Sequence, residues 1–186
     1  MVKAFYSDKW VTIYHGDCRE VLPSLDVKVD LVLTDPPYGI GTGREKPHNG
    51  WVDYGISDWD LQRPDKSTFN LIMSKSVNQI IWGGNYFIDY LYPTMGWLVW
   101  DKGQREFSLA DGELAWTSYQ KALRIYTVSR GKALQDGKQH PAQKSAEIME
   151  FSILYANDVQ TILDPFLGSG TTCYCAKKLN RYSIGI

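Results

Sequence analysis

Residues 161–172 read Thr-Ile-Leu-Asp-Pro-Phe-Leu-Gly-Ser-Gly-Thr-Thr. A short apolar run from Thr161 to Leu163 meets Asp164 and Pro165. A turn carrying Gly168 and Gly170 follows, then small polar residues opening a stretch that ends in Lys177 and Lys178. This is a strand, a glycine turn and a helix. The glycines allow close approach of backbone to a ligand, and the start of the helix offers free N–H groups. The closing lysines suit the negative end of the helix dipole. Two common glycine-rich turns fit poorly. A phosphate-binding loop needs a lysine before its Ser/Thr, where this chain reaches Thr171 without one, and a dinucleotide fingerprint needs Gly or Ala where this chain has Cys173. A turn that holds a nucleoside with a carboxylate-bearing tail fits better.

Working outward, β-rich runs at 10–15, 29–34, 79–82, 97–101, 114–117, 123–128, 161–164 and 182–186 alternate with helical patterning at 67–77, 145–156 and 169–179. The alternation predicts an α/β domain, a Rossmann-like mixed, mostly parallel sheet with helices on both faces. Ligands of such sheets bind beyond the carboxyl ends of the strands. The stretch 39–65, rich in Gly, Asp, Pro and Asn, reads as a long surface excursion, and a loop of that length in a compact domain is usually functional.

Composition sets the outer limits. The chain has 186 residues, 44% hydrophobic and 13% aromatic, with 20 Lys+Arg against 21 Asp+Glu. One globular domain over 1–186 is expected, with no disorder, no membrane span and no signal peptide. Cys18, Cys173 and Cys175 form no C-x-x-C pair, so neither a zinc site nor a disulfide framework is expected and a reducing, cytoplasmic setting is the better reading. A net charge of -1 argues against a generic basic coat for nucleic acid, so any such contact must come from a local patch.

A second strand end is Thr34-Asp35-Pro36-Pro37-Tyr38-Gly39. Two prolines remove two backbone donors and stiffen the turn. The Asp35 carboxylate and a neighbouring carbonyl make a two-acceptor site suited to an amino group, and Tyr38 adds a flat face for stacking. A third is Gly16-Asp17-Cys18, where Asp17 either accepts from an adenine amino group or caps the helix that follows.

With these motifs in view, the chain resembles the S-adenosylmethionine-dependent DNA amino-methyltransferases of the adenine-N6/cytosine-N4 type, in the β class where Asp-Pro-Pro-Tyr precedes Phe-x-Gly-x-Gly. The resemblance runs through GDCREVL (16–22), TDPPYGI (34–40), IIWGGNYF (80–87), WLVWDKG (97–103), ELAWTS (113–118), HPAQKS (140–145) and DPFLGSGTT (164–172). It implies a circularly permuted methyltransferase fold and S-adenosylmethionine as cofactor. It also implies DNA as partner, with the target base flipped out of the duplex. By that resemblance Asp35, Pro36, Pro37 and Tyr38 hold the target amino group. Phe166, Gly168 and Gly170 meet the methionine part of the cofactor, Asp17 its adenine and Lys144 its carboxylate, with Cys18, Asp164 and Thr171 also at the cofactor. No metal is implied. Aspartate at position 35 favours adenine over cytosine by analogy. Cytosine-N4 methylation and a non-catalytic cofactor-binding subunit remain alternatives.

The sequence departs from the family pattern in three ways. Only residues 129–139 separate the strand near Val128 from the His-Pro segment, too few for a separate target-recognition domain, so a homodimer or a partner subunit is a candidate source of recognition. HPAQKS carries Ala142 and Ser145 where Thr and Pro are common. The chain ends at Ile186, before the acidic residue that would hold the cofactor ribose, which is expected to reflect trimming or compensated binding. Elsewhere, Asp53, Asp58 and Asp60 read as a solvated loop, and Asn85 as a candidate lining residue. Trp82, Trp97, Trp100 and Trp116 read as structural, and none of His15, His48 and His140 as catalytic. From Asp101 to Lys144 eight basic residues stand against five acidic ones, a modest positive excess that implies weak, salt-sensitive phosphate binding.

Overall fold

The computed structural model describes residues 2–41, 58–106, 109–129, 131 and 143–186. The strands are β1 (Tyr6–Ser7), β2 (Val11–Ile13), β3 (Val29–Thr34), β4 (Ser76–Trp82), β5 (Trp97–Asp101), β6 (Gly112–Thr117), β7 (Arg124–Thr127), β8 (Thr161–Asp164) and β9 (Tyr182–Gly185). The helices are α1 (Cys18–Ser24), α2 (Lys66–Ser74), α3 (Ala146–Ala156) and α4 (Thr171–Lys178), with a 3-10 turn at Gly84–Tyr86. The sheet has the order β1-β2-β9-β8-β3-β4-β6-β5-β7. Five neighbouring pairs are parallel and three antiparallel. The expected mixed, mostly parallel α/β sheet is what forms.

Strand alternation sorts the core into two layers. Leu31, Leu33, Ile80, Trp82, Leu98, Trp100 and Ile162 face α3 and α4, where Ile148, Met149, Ile153, Cys175 and Ala176 meet them. Val32, Ile81, Trp116, Leu163 and Ile184 face the other way, onto Val21 and Leu22 of α1 and Phe69 and Ile72 of α2. The buried tryptophans are satisfied as well as packed: Nε1 donates from Trp82 to Ser152 Oγ (3.2 Å), from Trp100 to the Val128 carbonyl (2.9 Å) and from Trp116 to the Tyr92 carbonyl (2.9 Å). The structural reading of these tryptophans therefore stands.

Local differences from the expected elements have physical reasons. The helix expected over 67–77 ends at Ser74, and Ser76 already pairs with Val29 of β3, so sheet pairing overrides helical pattern at Val77. α1 holds Pro23 in its last turn and spans only seven residues, too short to give a clear helical period. Asp17 is its N-cap, accepting from the Arg19 N–H at 2.8 Å.

Strand order creates the site. From β3 the chain crosses to β4 on one side, and from β8 to β9 on the other, while β3 and β8 lie side by side in parallel, Leu31 opposite Ile162 and Val32 opposite Leu163. The sheet thus splits its connections between β3 and β8, which leaves a crevice beyond their carboxyl ends.

Candidate active site

Asp164, at the end of β8, fastens that crevice. It is 2% exposed and carries three donors: Thr34 Oγ1 from β3 (2.6 Å), Thr172 Oγ1 from α4 (2.5 Å) and the Phe166 N–H of the glycine turn (3.1 Å). Burial pushes its carboxyl up to about 6, against the pull of those hydrogen bonds. Beyond it, Gly168 and Gly170 have φ of +53° and +86°, which glycine adopts without strain. Gly170 is the N-cap of α4, whereas Phe166, Gly168 and Thr171 face the cleft.

At the end of β3, Asp35 to Tyr38 turn into the same cleft, which measures about 1080 Å³ and is also lined by Asp17, Cys18 and Lys144. Because Pro36 and Pro37 have no N–H, the next backbone donors are those of Tyr38 and Gly39. Both go to one oxygen, Asp60 Oδ1, at 2.7 and 2.9 Å. Asp60 is 1% exposed, so the expectation that it belongs to a solvated loop is corrected: it is the buried acceptor that shapes the Asp-Pro-Pro-Tyr turn. Asp53 lies outside the described residues, as do His48 and His140.

The Tyr38 ring stacks on Tyr86 with centroids 4.6 Å apart and rests against Gly83, where a Cβ would lie 2.0 Å from Tyr38 Cε1. Gly83 also has φ of +67°, so glycine is required there twice over. Asn85, on the same 3-10 turn, lines the cleft. Arg63 holds that turn by donating to the Tyr86 carbonyl (2.6 Å) and, through both terminal nitrogens, to Asp89 (2.8 and 2.6 Å).

Asp35 is deeply set but keeps 20% of its side chain open to the cleft. The Tyr38 hydroxyl donates to its Oδ1, and the Lys144 ammonium lies 3.1 Å from its Oδ2. Burial raises the Asp35 carboxyl above its ordinary value; Lys144 opposes this and Glu113 adds to it. The resemblance placed Lys144 at the cofactor's carboxylate. In the fold its three N–H donors are directed to Asp35, Glu113 and the Tyr38 hydroxyl, the last at 3.4 Å. Asp17 is held by Arg19, whose Nη2 lies 2.5 Å from Oδ2, in addition to its capping bond.

Sequence reasoning passed over Asp60, Glu113, Lys102 and Tyr86. Lys102 was counted in the modest positive excess expected to meet phosphate, yet it is 8% exposed and sits 2.8 Å from Glu113 Oε1. Lys102 follows β5 and Glu113 lies in β6, and it is the antiparallel pairing of these strands that brings the two together.

Burial disfavours the thiolate at two of the cysteines. Burial raises Cys18 to about 11 and Cys173 to about 12. Among the described residues no group of His, Cys, Asp or Glu converges to hold a metal ion, and no helix is long and apolar enough to cross a membrane.

Comparison with known proteins identifies the family. A DNA methylase family profile of the N6/N4 type matches residues 74–186. The Type II methyltransferase M2.DpnII of Streptococcus pneumoniae is 28% identical over 235 residues, covering 100% of this chain and 88% of the relative. M2.LlaDCHI of Lactococcus lactis subsp. cremoris is 27% identical, covering 100% of this chain and 87% of its own. Both alignments are longer than this chain, so each relative carries segments that it lacks. Among solved structures, the M1.HpyAVI-SAM complex superposes with a TM-score of 0.62 at 22% identity, covering 95% of this chain and 92% of the other. The cytosine-N4-specific PvuII DNA methyltransferase does so with a TM-score of 0.62 at 19% identity, covering 98% and 83%. These last two share the fold. The chain belongs to the N6/N4 DNA methylase family.

Proposed function

We propose that this chain transfers a methyl group from S-adenosylmethionine to the exocyclic amino group of an adenine flipped out of DNA, with Asp35 to Tyr38 holding the base. One observation carries the reading: the two-acceptor turn at the end of β3 and the glycine turn at the end of β8 open from adjacent parallel strands onto one cleft.

The cleft suits the cofactor. Its volume of about 1080 Å³ has room for a nucleoside-sized donor beside a base. A Cβ built on Gly168 would meet no atom nearer than 3.9 Å, so that turn presents open backbone. Phe166, Gly168 and Thr171 would hold the methionine part, with Asp164 supporting the turn from behind and Gly170 starting the helix. Asp17 and Cys18 would flank the adenine. When bound, S-adenosylmethionine supplies an electrophilic methyl group on a sulfonium.

This chain's residues supply the rest. The amino nitrogen of a nucleobase is a weak nucleophile because its lone pair is delocalised into the ring. Asp35 and the Pro36 carbonyl accept its two N–H groups, favour a more tetrahedral nitrogen and stabilise the positive charge it gains. Tyr38 offers a ring for stacking on the flipped base. Positioning and electrostatics carry the acceleration, and no covalent nucleophile is required.

The test is incubation with labelled cofactor and unmethylated DNA, followed by digestion to nucleosides. Label in N6-methyl-2′-deoxyadenosine supports the proposal. Label in N4-methyl-2′-deoxycytidine replaces adenine by cytosine in it. Label that appears only on addition of a second subunit makes this chain the dependent partner of a complex.

A further inference from the structure

Asp35 does not stand alone in its pocket. Four charged side chains that line the cleft alternate in sign along its wall: Asp35, Lys144, Glu113 and Lys102. Lys144 Nζ lies 3.1 Å from Asp35 Oδ2 and in close contact with Glu113 Oε2, and Lys102 Nζ lies 2.8 Å from Glu113 Oε1. The two lysines are 7% and 8% exposed, and the two carboxylates 20% and 26%. Four separate places in the chain contribute: the turn after β3, the residue before Ser145 and α3, strand β6 and the residue after β5. Aromatic faces close the array, since Lys144 Nζ sits 5.3 Å from the Trp82 ring centroid and Lys102 Nζ 5.0 Å from that of Trp100.

We propose that Lys144 is a positioning residue for Asp35, supplying the counter-charge that keeps its carboxylate an acceptor, and that Glu113, braced by Lys102, sets where Lys144 stands. The inference rests on Asp35 being the acceptor of the target amino group, and it gives Lys144 a role apart from the cofactor.

The physical case is one of balance. A buried carboxyl tends to take up a proton, and protonation would turn one acceptor position of Asp35 into an O–H donor. Lys144 is the cation opposite it. Burial alone would strip Lys144 of its proton, but Asp35 and Glu113 reverse that and hold it charged. Burial would likewise raise Glu113, and the ammonium groups of Lys144 and Lys102 bring it down to about 2. The other ionisable groups facing Asp35 are Tyr38 on its own turn, whose phenol burial keeps neutral, and Asp164 at the end of β8. Among the described residues, Lys144 is thus the one group facing Asp35 that carries positive charge. Glu113 has a double effect: it anchors Lys144, and its own charge pushes Asp35 upward.

The two ends of the array therefore move Asp35 in opposite directions. Carboxyl-13C-aspartate NMR of the cofactor-free chain reads the Asp35 titration, assigned with Asp35→Asn. Lys144→Met is expected to move its midpoint up by at least one pH unit, and Lys144→Arg to leave it near the wild-type value. Glu113→Gln, which keeps an acceptor oxygen for both lysines, is expected to move it down. In transfer assays the acid limb of kcat should follow the same order, with KM for DNA changing less than kcat. A merely structural role would lower activity without opposed shifts. Unmoved midpoints, or shifts of the same sign in Lys144→Met and Glu113→Gln, overturn the proposal. Should Lys144→Met not fold, Lys144→Gln takes its place, with the same upward shift expected and an unmoved midpoint again overturning the proposal. Absence of transfer to DNA by the wild-type chain would sink the proposed function, while the Asp35 titration would still test the array.

Discussion

Two aspartates end adjacent parallel strands and face one cleft, but their surroundings differ in kind. Asp164, closing β8, is 2% exposed and met by two hydroxyls and a backbone N–H. Asp35, just beyond β3, keeps 20% of its side chain open and is met by a phenol and an ammonium. Burial raises both. The difference lies in what offsets it. Neutral donors with fixed geometry make Asp164 a fastener joining β3, the glycine turn and α4. A cation and an opening to solvent make Asp35 a group that can meet a ligand. Matching residue types at matching strand ends thus take separate work, one structural and one chemical.

The largest effect should come from breaking the chemical side. Asp35→Ala is expected to lower single-turnover methyl transfer by about a thousandfold or more, the scale of losing a principal electrostatic contact to the transition state. Cofactor binding, read by calorimetry, should be largely retained. Loss of binding with the fold intact would move Asp35 to the cofactor side of the cleft and erase the contrast.

Breaking the structural side should instead appear in stability. Asp164→Ala leaves the Thr34 and Thr172 hydroxyls and the Phe166 N–H without their acceptor, at a net cost of about 2 kcal/mol in urea unfolding. The pH dependence has a definite sign. Asp164 titrates at about 6 in the fold against 3.8 as an ordinary aspartate, so between these values the folded chain binds more protons than the unfolded one. Its contribution is therefore most favourable below pH 4 and declines as pH rises towards 6, by at most about 3 kcal/mol. Asp164→Asn should remove that slope, gaining on wild type between pH 4 and pH 7 in parallel unfolding curves. A difference that stays flat with pH would mean that the carboxyl is not held near 6.

The same contrast explains what could be read from the sequence. Asp35 and Asp164 were both legible, because prolines and glycines after a short apolar run mark a strand end without knowledge of the fold. Strand alternation likewise gave the sheet and its two layers. The partners were not legible. Asp60 lies 22 residues from Tyr38 and Lys144 lies 106 from it, so neither hydrogen bond leaves a local pattern. Lys102 and Glu113 entered only as counts in a modest charge excess because their pairing depends on β5 and β6 lying antiparallel, with Trp100 opposite Glu113. Charged residues in a sequence carry sign but not address, and the address is set by strand order.

A smaller effect tests the packing beneath the chemical side. A methyl group at Gly83 would collide with the Tyr38 ring at 2.0 Å and sit on a backbone at φ of +67°. Gly83→Ala is expected to cost about 1–2 kcal/mol in thermal or urea unfolding. It should also weaken DNA-dependent transfer more than cofactor binding, because the displaced ring belongs to the turn proposed to hold the base. Equal loss of both would place Tyr38 against the cofactor.

The finest distinction concerns Tyr38 itself, which offers a ring and a hydroxyl. Its phenol is kept neutral by burial and by the nearby Asp35 charge, so it donates to Asp35 Oδ1 across the working pH range. That bond stabilises the carboxylate, but it also occupies a lone pair that an incoming amino group can use, so its removal has opposing consequences. Tyr38→Phe keeps the ring stacked on Tyr86 and is expected to change kcat by no more than about threefold, a net of under about 1 kcal/mol. Tyr38→Ala removes the stacking surface, worth about 1–3 kcal/mol per base, and should lower kcat/KM for DNA on the order of tenfold to a hundredfold. If Phe proves as damaging as Ala, the hydroxyl rather than the ring does the chemistry, and Tyr38 joins Lys144 among the groups that govern the state of Asp35.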